Sequence, residues 1–119
     1  ENVKFNNMKN NKLIAEFMKV NIITLDNVRE NKNPYYSSAD GYLEDGLKYH
    51  SDWNWLMPVV EKIESDDRYD VDILQYGTRI TDNQEEIVNN IADISFDKKI
   101  DHTYSAVVQF IKLLNKKEV

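Results

Sequence analysis

The sequence predicts a small α+β domain, an α-β-α sandwich in which a mostly antiparallel sheet is packed by amphipathic helices. Three observations support this class. Apolar residues between Ile100 and Leu114 recur at 4-3-4-3 spacing, which is typical of a helix with one core face. Residues 69–73 alternate apolar with acidic side chains, which indicates a half-buried strand. The length of 119 residues suits one domain.

The N-terminal part of the chain predicts a short helix followed by a strand. Asn10 or Asn11 can cap the helix, because an asparagine side chain accepts a hydrogen bond from the first turn. The helix carries four apolar residues at helical spacing: Leu13, Ile14, Phe17 and Met18. The β-branched run VNIITL, residues 20–25, then indicates an extended segment.

The first half of the chain gives two expectations, one on where the domain begins and one on a long loop. We expect Met8 to be the natural start and residues 1–7 to be disordered, so that the domain spans residues 8–119. Residues 26–47 are rich in Asn, Asp, Ser and Gly, and they contain the breakers Pro34, Gly41 and Gly46. We expect one long loop there, and loops of this length are often functional.

Residues 48–65, KYHSDWNWLMPVVEKIES, predict a second helix with an aromatic start. Ser51 is the expected N-cap. One face holds four apolar residues at helical spacing: Trp53, Leu56, Val60 and Ile63. Pro58 is expected to kink this helix or divide it in two, because proline removes a backbone hydrogen bond. Trp55 lies roughly 200° around the helix from Trp53, so we expect it at the edge or surface.

The segment after residue 68 predicts a hairpin and then a short helix. Residues 69–73 form the first strand, Gly77 permits a turn, and residues 78–81 form the partner strand. Thr81 or Asp82, each followed three residues later by Gln84 or Glu85, resembles a capping box. A helix with Ile87, Val88 and Ile91 is then expected, followed by a strand at ADISF. Alternatively, that strand begins earlier and includes Ile91.

Composition excludes several functional classes. The net charge of −6 and the small number of arginines disfavour non-specific nucleic-acid binding, which needs many cationic side chains. Cysteine is absent, so thiol catalysis, disulfides and thiolate metal sites are excluded. No apolar run approaches the roughly 20 residues of a membrane span. A cytoplasmic protein that does not bind membranes is the simplest expectation.

No motif in the sequence indicates catalysis, a cofactor or a metal site. His50 and His102 lack a metal-binding or catalytic pattern around them, and we expect structural or surface roles. Asp70 and Asp72 share one face of the predicted strand and could hold a divalent cation. A strand with one wet face produces the same Asp-x-Asp pattern without any metal. We therefore expect a protein that is not an enzyme.

The aromatic residues between positions 35 and 55 are the best candidates for binding a partner. Tyr and Trp often contribute most of the energy at protein interfaces, and loops present them well. The candidate residues are Tyr35, Tyr36, Tyr42, Tyr49 and Trp55. Two alternatives stay open: these rings cover a small core, or they stack on nucleobases.

Three segments resemble a known family: KLIAEFM (12–18), YHSDWNWLMPVVEKIE (49–64) and YSAVVQFIKLLN (104–115). The resemblance is to small phage and prophage proteins of bacteria, especially of the Bacteroidetes lineage, in the group named for a phage α-β-α sandwich domain. It covers most of the chain from Met8 onward. It implies a fold and a phage origin, and it provides no catalytic residues.

Together, these observations lead us to expect a non-enzymatic phage protein that binds and inhibits a host component. Its most concrete form is an anti-CRISPR-type inhibitor whose partner is a host protein or ribonucleoprotein such as an RNA-guided nuclease. The alternative is a self-associating structural or regulatory module, for which the last helix could supply a homodimer face. A weaker third possibility is a metal-dependent enzyme that uses the acidic residues between Asp66 and Asp72.

Overall fold

The computed structural model describes residues 3–23, 42–43, 46–91 and 96–117. These residues form three helices, a three-stranded antiparallel sheet and a short parallel pair of strands. This confirms the predicted α+β class, with a mostly antiparallel sheet packed by helices. The chain divides into an N-terminal unit, Glu1–Lys48, and a C-terminal unit, Tyr49–Val119.

The N-terminal unit begins with helix α1, Val3–Met18. The helix starts earlier than the predicted caps at Asn10 and Asn11, so residues 3–7 are helical where the sequence predicts disorder. Lys19 ends it with a positive φ of 59°. The Val20 N–H donates to the Ala15 carbonyl at 2.8 Å, and the Lys19 N–H donates to Glu16 at 3.2 Å. These two bonds form a Schellman cap, in which lysine takes the position that glycine usually holds.

Two short strands follow in this unit. Strand β1, Ile22–Ile23, pairs in parallel with β2, Tyr42–Leu43. Strand β1 lies within the predicted extended segment, whereas β2 lies within the predicted loop 26–47. The buried Asn11 side chain donates to the Leu47 carbonyl at 3.1 Å, which ties the helix to the end of that loop. Residues 24–41 of the chain lie outside the described residues.

Helix α2, Trp53–Glu64, opens the regular structure of the C-terminal unit. Its N-cap is Asp52, one residue after the predicted Ser51, and the Asp52 carboxylate accepts a hydrogen bond from the Asn54 N–H at 2.8 Å. Pro58 does not divide the helix, so that part of the prediction is wrong. Because Pro58 is exposed, the carbonyl that it leaves unpaired lies on the side open to solvent. The core face holds Leu56, Val59, Val60 and Ile63.

The sheet has the strand order β3-β4-β5, with β3 at Tyr69–Leu74, β4 at Gly77–Asp82 and β5 at Glu85–Asn89. Strands β3 and β4 confirm the predicted hairpin. Strand β5 replaces the predicted short helix, which is wrong. Asn83 and Gln84 have φ values of 51° and 73°, which a tight two-residue hairpin turn requires and a helix start forbids.

Helix α3, Lys99–Lys117, confirms the predicted last helix. The Asp101 carboxylate accepts a hydrogen bond from the Lys98 N–H at 3.2 Å and caps the first turn. The helix packs against all three strands, while α2 packs against β3 and α3. The rings of Tyr69 and Phe110 meet edge to face at 4.8 Å, which joins the sheet to α3 in the core.

Candidate functional site

Two of the predicted partner-binding aromatics lie together in the C-terminal unit. The rings of Tyr49 and Trp55 meet edge to face with centroids 5.1 Å apart. Tyr49 is only 3% exposed, which favours the core-covering alternative for this residue. Trp55 is half-buried, as is Trp53, so both tryptophans lie at the edge of the interior. A partner-binding role for Trp55 stays a prediction.

The side chains of the other three predicted tyrosines are not among those that the structure describes. Tyr35 and Tyr36 lie outside the described residues. The backbone of Tyr42 belongs to β2, where it pairs with Ile22. Their predicted role in binding therefore stays a prediction, and the candidate site is built from other residues.

His50 and Tyr104 lie close together and are both shifted by burial. Their ring centroids are 6.1 Å apart. Desolvation lowers the pKa of His50 below its ordinary value, because burial disfavours the charged imidazolium. Desolvation also raises the pKa of the Tyr104 phenol well above its ordinary range. Both groups are therefore held in their neutral forms near neutral pH.

His102 has a structural role in the interior. It is 2% exposed, and its Nδ1 atom lies 2.7 Å from the hydroxyl oxygen of Thr78. The Thr78 hydroxyl also lies 3.1 Å from the Thr103 hydroxyl. Asn90 accepts from the Thr78 N–H at 2.8 Å and donates to the His102 carbonyl at 3.1 Å. This network ties β4 to the start of α3, and each member has partners inside the fold.

Of the two strand aspartates, Asp72 is engaged in an ion pair. Asp72 accepts a hydrogen bond from Arg79 at 2.9 Å, and Arg79 also lies 3.5 Å from Glu86. A carboxylate, a guanidinium and a second carboxylate thus form a row across β3, β4 and β5. Among the described residues, no group of three or more His, Asp or Glu side chains is arranged to hold a metal ion.

An exposed apolar cluster lies at the end of the β3–β4 hairpin, and we call it the hairpin tip: Leu74, Tyr76 and Ile91. Tyr76 is 69% exposed, Leu74 is 44% exposed and Ile91 is 37% exposed. Large apolar side chains scattered singly over a surface need no explanation, whereas neighbouring ones that form a contiguous patch are candidates for an interaction site.

The hairpin tip is one cluster because all three residues surround Gly77. Leu74 pairs with Gly77 across the strands, and Tyr76 precedes it in the turn. The Cα atom of Ile91 lies so close that a Cβ built on Gly77 would be 2.2 Å from it. The absence of a side chain at Gly77 therefore lets the end of β5 approach the hairpin. Ile91, Leu74 and Tyr76 are thus all neighbours of Gly77: the first through its backbone, the second by strand pairing and the third in the chain.

The sequence reveals little of this cluster. Tyr76 beside Gly77 is visible as a turn residue, but the approach of Ile91 depends on the β4–β5 hairpin, where the sequence favours a helix. Alternation in β3 places Leu74 on the same side as Asp70 and Asp72, which is the one available signal that it faces solvent.

No protein-family model, curated protein or solved structure matches this chain. The resemblance to phage proteins therefore stays a prediction. In the part of the chain that the structure describes, no helix is both long and apolar enough to cross a membrane.

Proposed function

We propose that this protein is a non-enzymatic binding protein that recognises a host protein through the hairpin tip and inhibits it. The observation that carries the proposal is the exposure of Tyr76, Leu74 and Ile91 around Gly77. Tyrosine is one of the residues enriched at the hot spots of protein interfaces, and the fully buried centre of an interface is more apolar than the rest of the surface.

Contacts on two sides hold the hairpin tip in one conformation, which favours its use as a binding surface. The His102 Nε2 atom lies 3.4 Å from the Gln75 carbonyl, so α3 contacts the turn that presents Tyr76. On the other side, Gly77 is buried against the end of β5. A surface that is already ordered loses less conformational entropy on binding, and more of the contact energy then appears as affinity.

The most concrete target is a bacterial defence complex, such as an RNA-guided nuclease. This part of the proposal rests on the resemblance of three segments to phage proteins and on the net charge of −6. An acidic protein approaches a nucleic-acid-binding complex quickly, because such complexes are basic and opposite charges accelerate encounter.

The proposal is tested by affinity capture from a bacterial host, followed by an assay of the captured complex. We expect a stoichiometric nuclease complex whose activity falls when the protein is added. Tyr76→Ser and Leu74→Ser should each weaken capture about tenfold, which corresponds to about 1.4 kcal/mol and to the loss of a contributing interface residue. Met57→Ser is the matched control, because Met57 is an exposed apolar residue on α2. Full defence activity in cells that contain folded protein would disprove inhibition.

The hairpin tip is also compatible with the second candidate function, a self-associating module. In that case the tip would contact a second copy of the chain. Light scattering across a range of concentrations separates the two candidates. A strict monomer excludes self-association, whereas a dimer that Tyr76→Ser converts to a monomer supports it.

A further inference from the structure

The face of the sheet that carries Asp70 and Asp72 contains an open cleft of about 370 Å³. All its lining residues belong to the C-terminal unit, and they come from α2, from the three strands and from the turn between β4 and β5. The lining is strongly acidic. It includes the carboxylates of Glu64, Asp70, Asp72 and Glu86, and its one basic side chain is Arg79.

The charges in the cleft do not balance. Arg79 is shared between Asp72, at 2.9 Å, and Glu86, at 3.5 Å. Among the described residues, the carboxylates of Glu64 and Asp70 have neither an ion pair nor a hydrogen bond. Two carboxylates therefore face the cleft without a cationic partner, although a guanidinium lies in the same cleft.

Thr81 gives an independent indication of a ligand. It lines the cleft, it is only 9% exposed, and its hydroxyl has no hydrogen-bond partner among the described residues. The described side chains include no N or O atom that is both buried and unpaired. The Thr81 hydroxyl oxygen must therefore keep some access to solvent, and the cleft is the space that Thr81 lines. A nearly buried hydroxyl without a partner is an acceptor available to a ligand.

We propose that this cleft binds a lysine or arginine side chain from a basic segment of the partner protein. The cation would pair with the carboxylates of Asp70 and Glu64, and the Thr81 hydroxyl would accept a hydrogen bond from the same group. This inference deepens the proposed function, on which it rests, by assigning a chemistry to the partner. Charge complementarity favours this occupant, because the lining has four carboxylates against one guanidinium.

The experiment is an NMR titration of the full ¹⁵N-labelled chain with a hexalysine peptide at low ionic strength. We expect the largest amide shifts around Asp70 and Thr81. Asp70→Asn and Thr81→Val should each weaken peptide binding about two- to fivefold, as expected for contacts near the surface. Asp67→Asn is the matched control, because it removes one negative charge from an exposed residue that does not line the cleft.

Three outcomes would overturn the inference. Shifts spread evenly over the acidic surface would mean that only net charge attracts the peptide. Equal weakening by Asp67→Asn and Asp70→Asn would lead to the same conclusion. Displacement of the peptide from the cleft by an equal concentration of Ca²⁺ would indicate a metal site instead.

The titration is separable from the test of the proposed function. If the tip variants abolish capture of a partner but hexalysine does not bind the cleft, the proposed function stands and this inference fails. If hexalysine binds at Asp70 and Thr81 while no host complex is captured or inhibited, the inference about the cleft is supported and the proposed function fails.

Discussion

The Nδ1 atom of His102 lies 2.7 Å from the Thr78 hydroxyl oxygen in the interior of the C-terminal unit. Thr78→Val removes this hydroxyl and leaves the imidazole nitrogen buried without its partner. We expect the free energy of unfolding to fall by about 1–3 kcal/mol. Urea denaturation monitored by tryptophan fluorescence measures the change.

The matched control for that variant is Thr81→Val on the same strand. Its hydroxyl has no partner among the described residues, so the free energy of unfolding should change by no more than about 0.5 kcal/mol. If Thr78→Val were as stable as Thr81→Val, the network around His102 would contribute nothing to stability.

Gly77→Ala tests the close approach at the hairpin tip. The new Cβ would lie 2.2 Å from the Cα atom of Ile91 and 2.8 Å from the Asn90 carbonyl oxygen, so backbone atoms must move. We expect a loss of about 3 kcal/mol, measured by thermal or urea unfolding. Gly46→Ala is the control, because a Cβ there meets no atom within 4 Å. Equal effects of the two substitutions would contradict the packing of Ile91 on Gly77.

Gln84→Gly tests the turn between β4 and β5. Gln84 has a φ of 73°, which costs a side chain about 1–2 kcal/mol, whereas the extra freedom of glycine in the unfolded chain costs about 0.5–1 kcal/mol. We therefore expect a net stabilisation of about 0.5–1 kcal/mol. Gln84→Ala keeps the unfavourable φ and should give no gain. A destabilised Gln84→Gly variant would argue for the helix that the sequence predicts.

Arg68→Gln tests the electrostatic effect of an ion pair at the end of the sheet. The Arg68 guanidinium donates two hydrogen bonds to Asp82, at 2.8 and 2.7 Å, and these bonds lower the pKa of the Asp82 carboxyl. NMR titration of the carboxyl carbon should show a higher pKa for Asp82 in the variant. Lys112→Gln removes an exposed positive charge elsewhere and should leave the pKa unchanged.

The same ion pair has a defined effect on acid stability. The pKa of Asp82 is lower in the folded state than in the unfolded state, so the stabilisation from the ion pair is fully present above the unfolded value of 3.8. That stabilisation is lost as the pH falls through the folded value. The difference in unfolding free energy between the wild type and Arg68→Gln should therefore shrink on acidification. A difference that stays constant down to low pH would exclude this ion pair as its cause.

The sequence predicts the parts of the fold that have long, regular periodicity. Helix α3 has an apolar stripe over many residues, and β3 has strict alternation, so neither has a competing interpretation. Helix α2 is also predicted, but the prediction overestimates the helix-breaking effect of Pro58. At an exposed position the proline leaves a carbonyl that solvent can satisfy, and the buried residues on the other face keep the helix together.

The incorrect predictions concern short segments whose sequence matches two local structures, a helix start and a hairpin turn. Thr81 and Asp82 before Gln84 and Glu85 match a helix cap, yet Asn83 and Gln84 form a hairpin turn without the usual glycine. Pairing of β5 with β4 decides between the two structures, and pairing is not visible in a single segment. The hairpin tip is not predicted for the same reason: Ile91 reaches Gly77 only because β5 pairs with β4.

The row formed by Asp72, Arg79 and Glu86 also makes one incorrect strand register unfavourable. Side chains alternate between the two faces of a strand, so a slip of β3 by one residue against β4 would turn Asp72 toward α3. A carboxylate would then enter the apolar interior without its guanidinium, at a cost of several kcal/mol. The correct alignment is therefore the one in which these three charges stay on the wet side. A hairpin that pairs out of register is therefore less stable than the native one, which favours its reopening over aggregation.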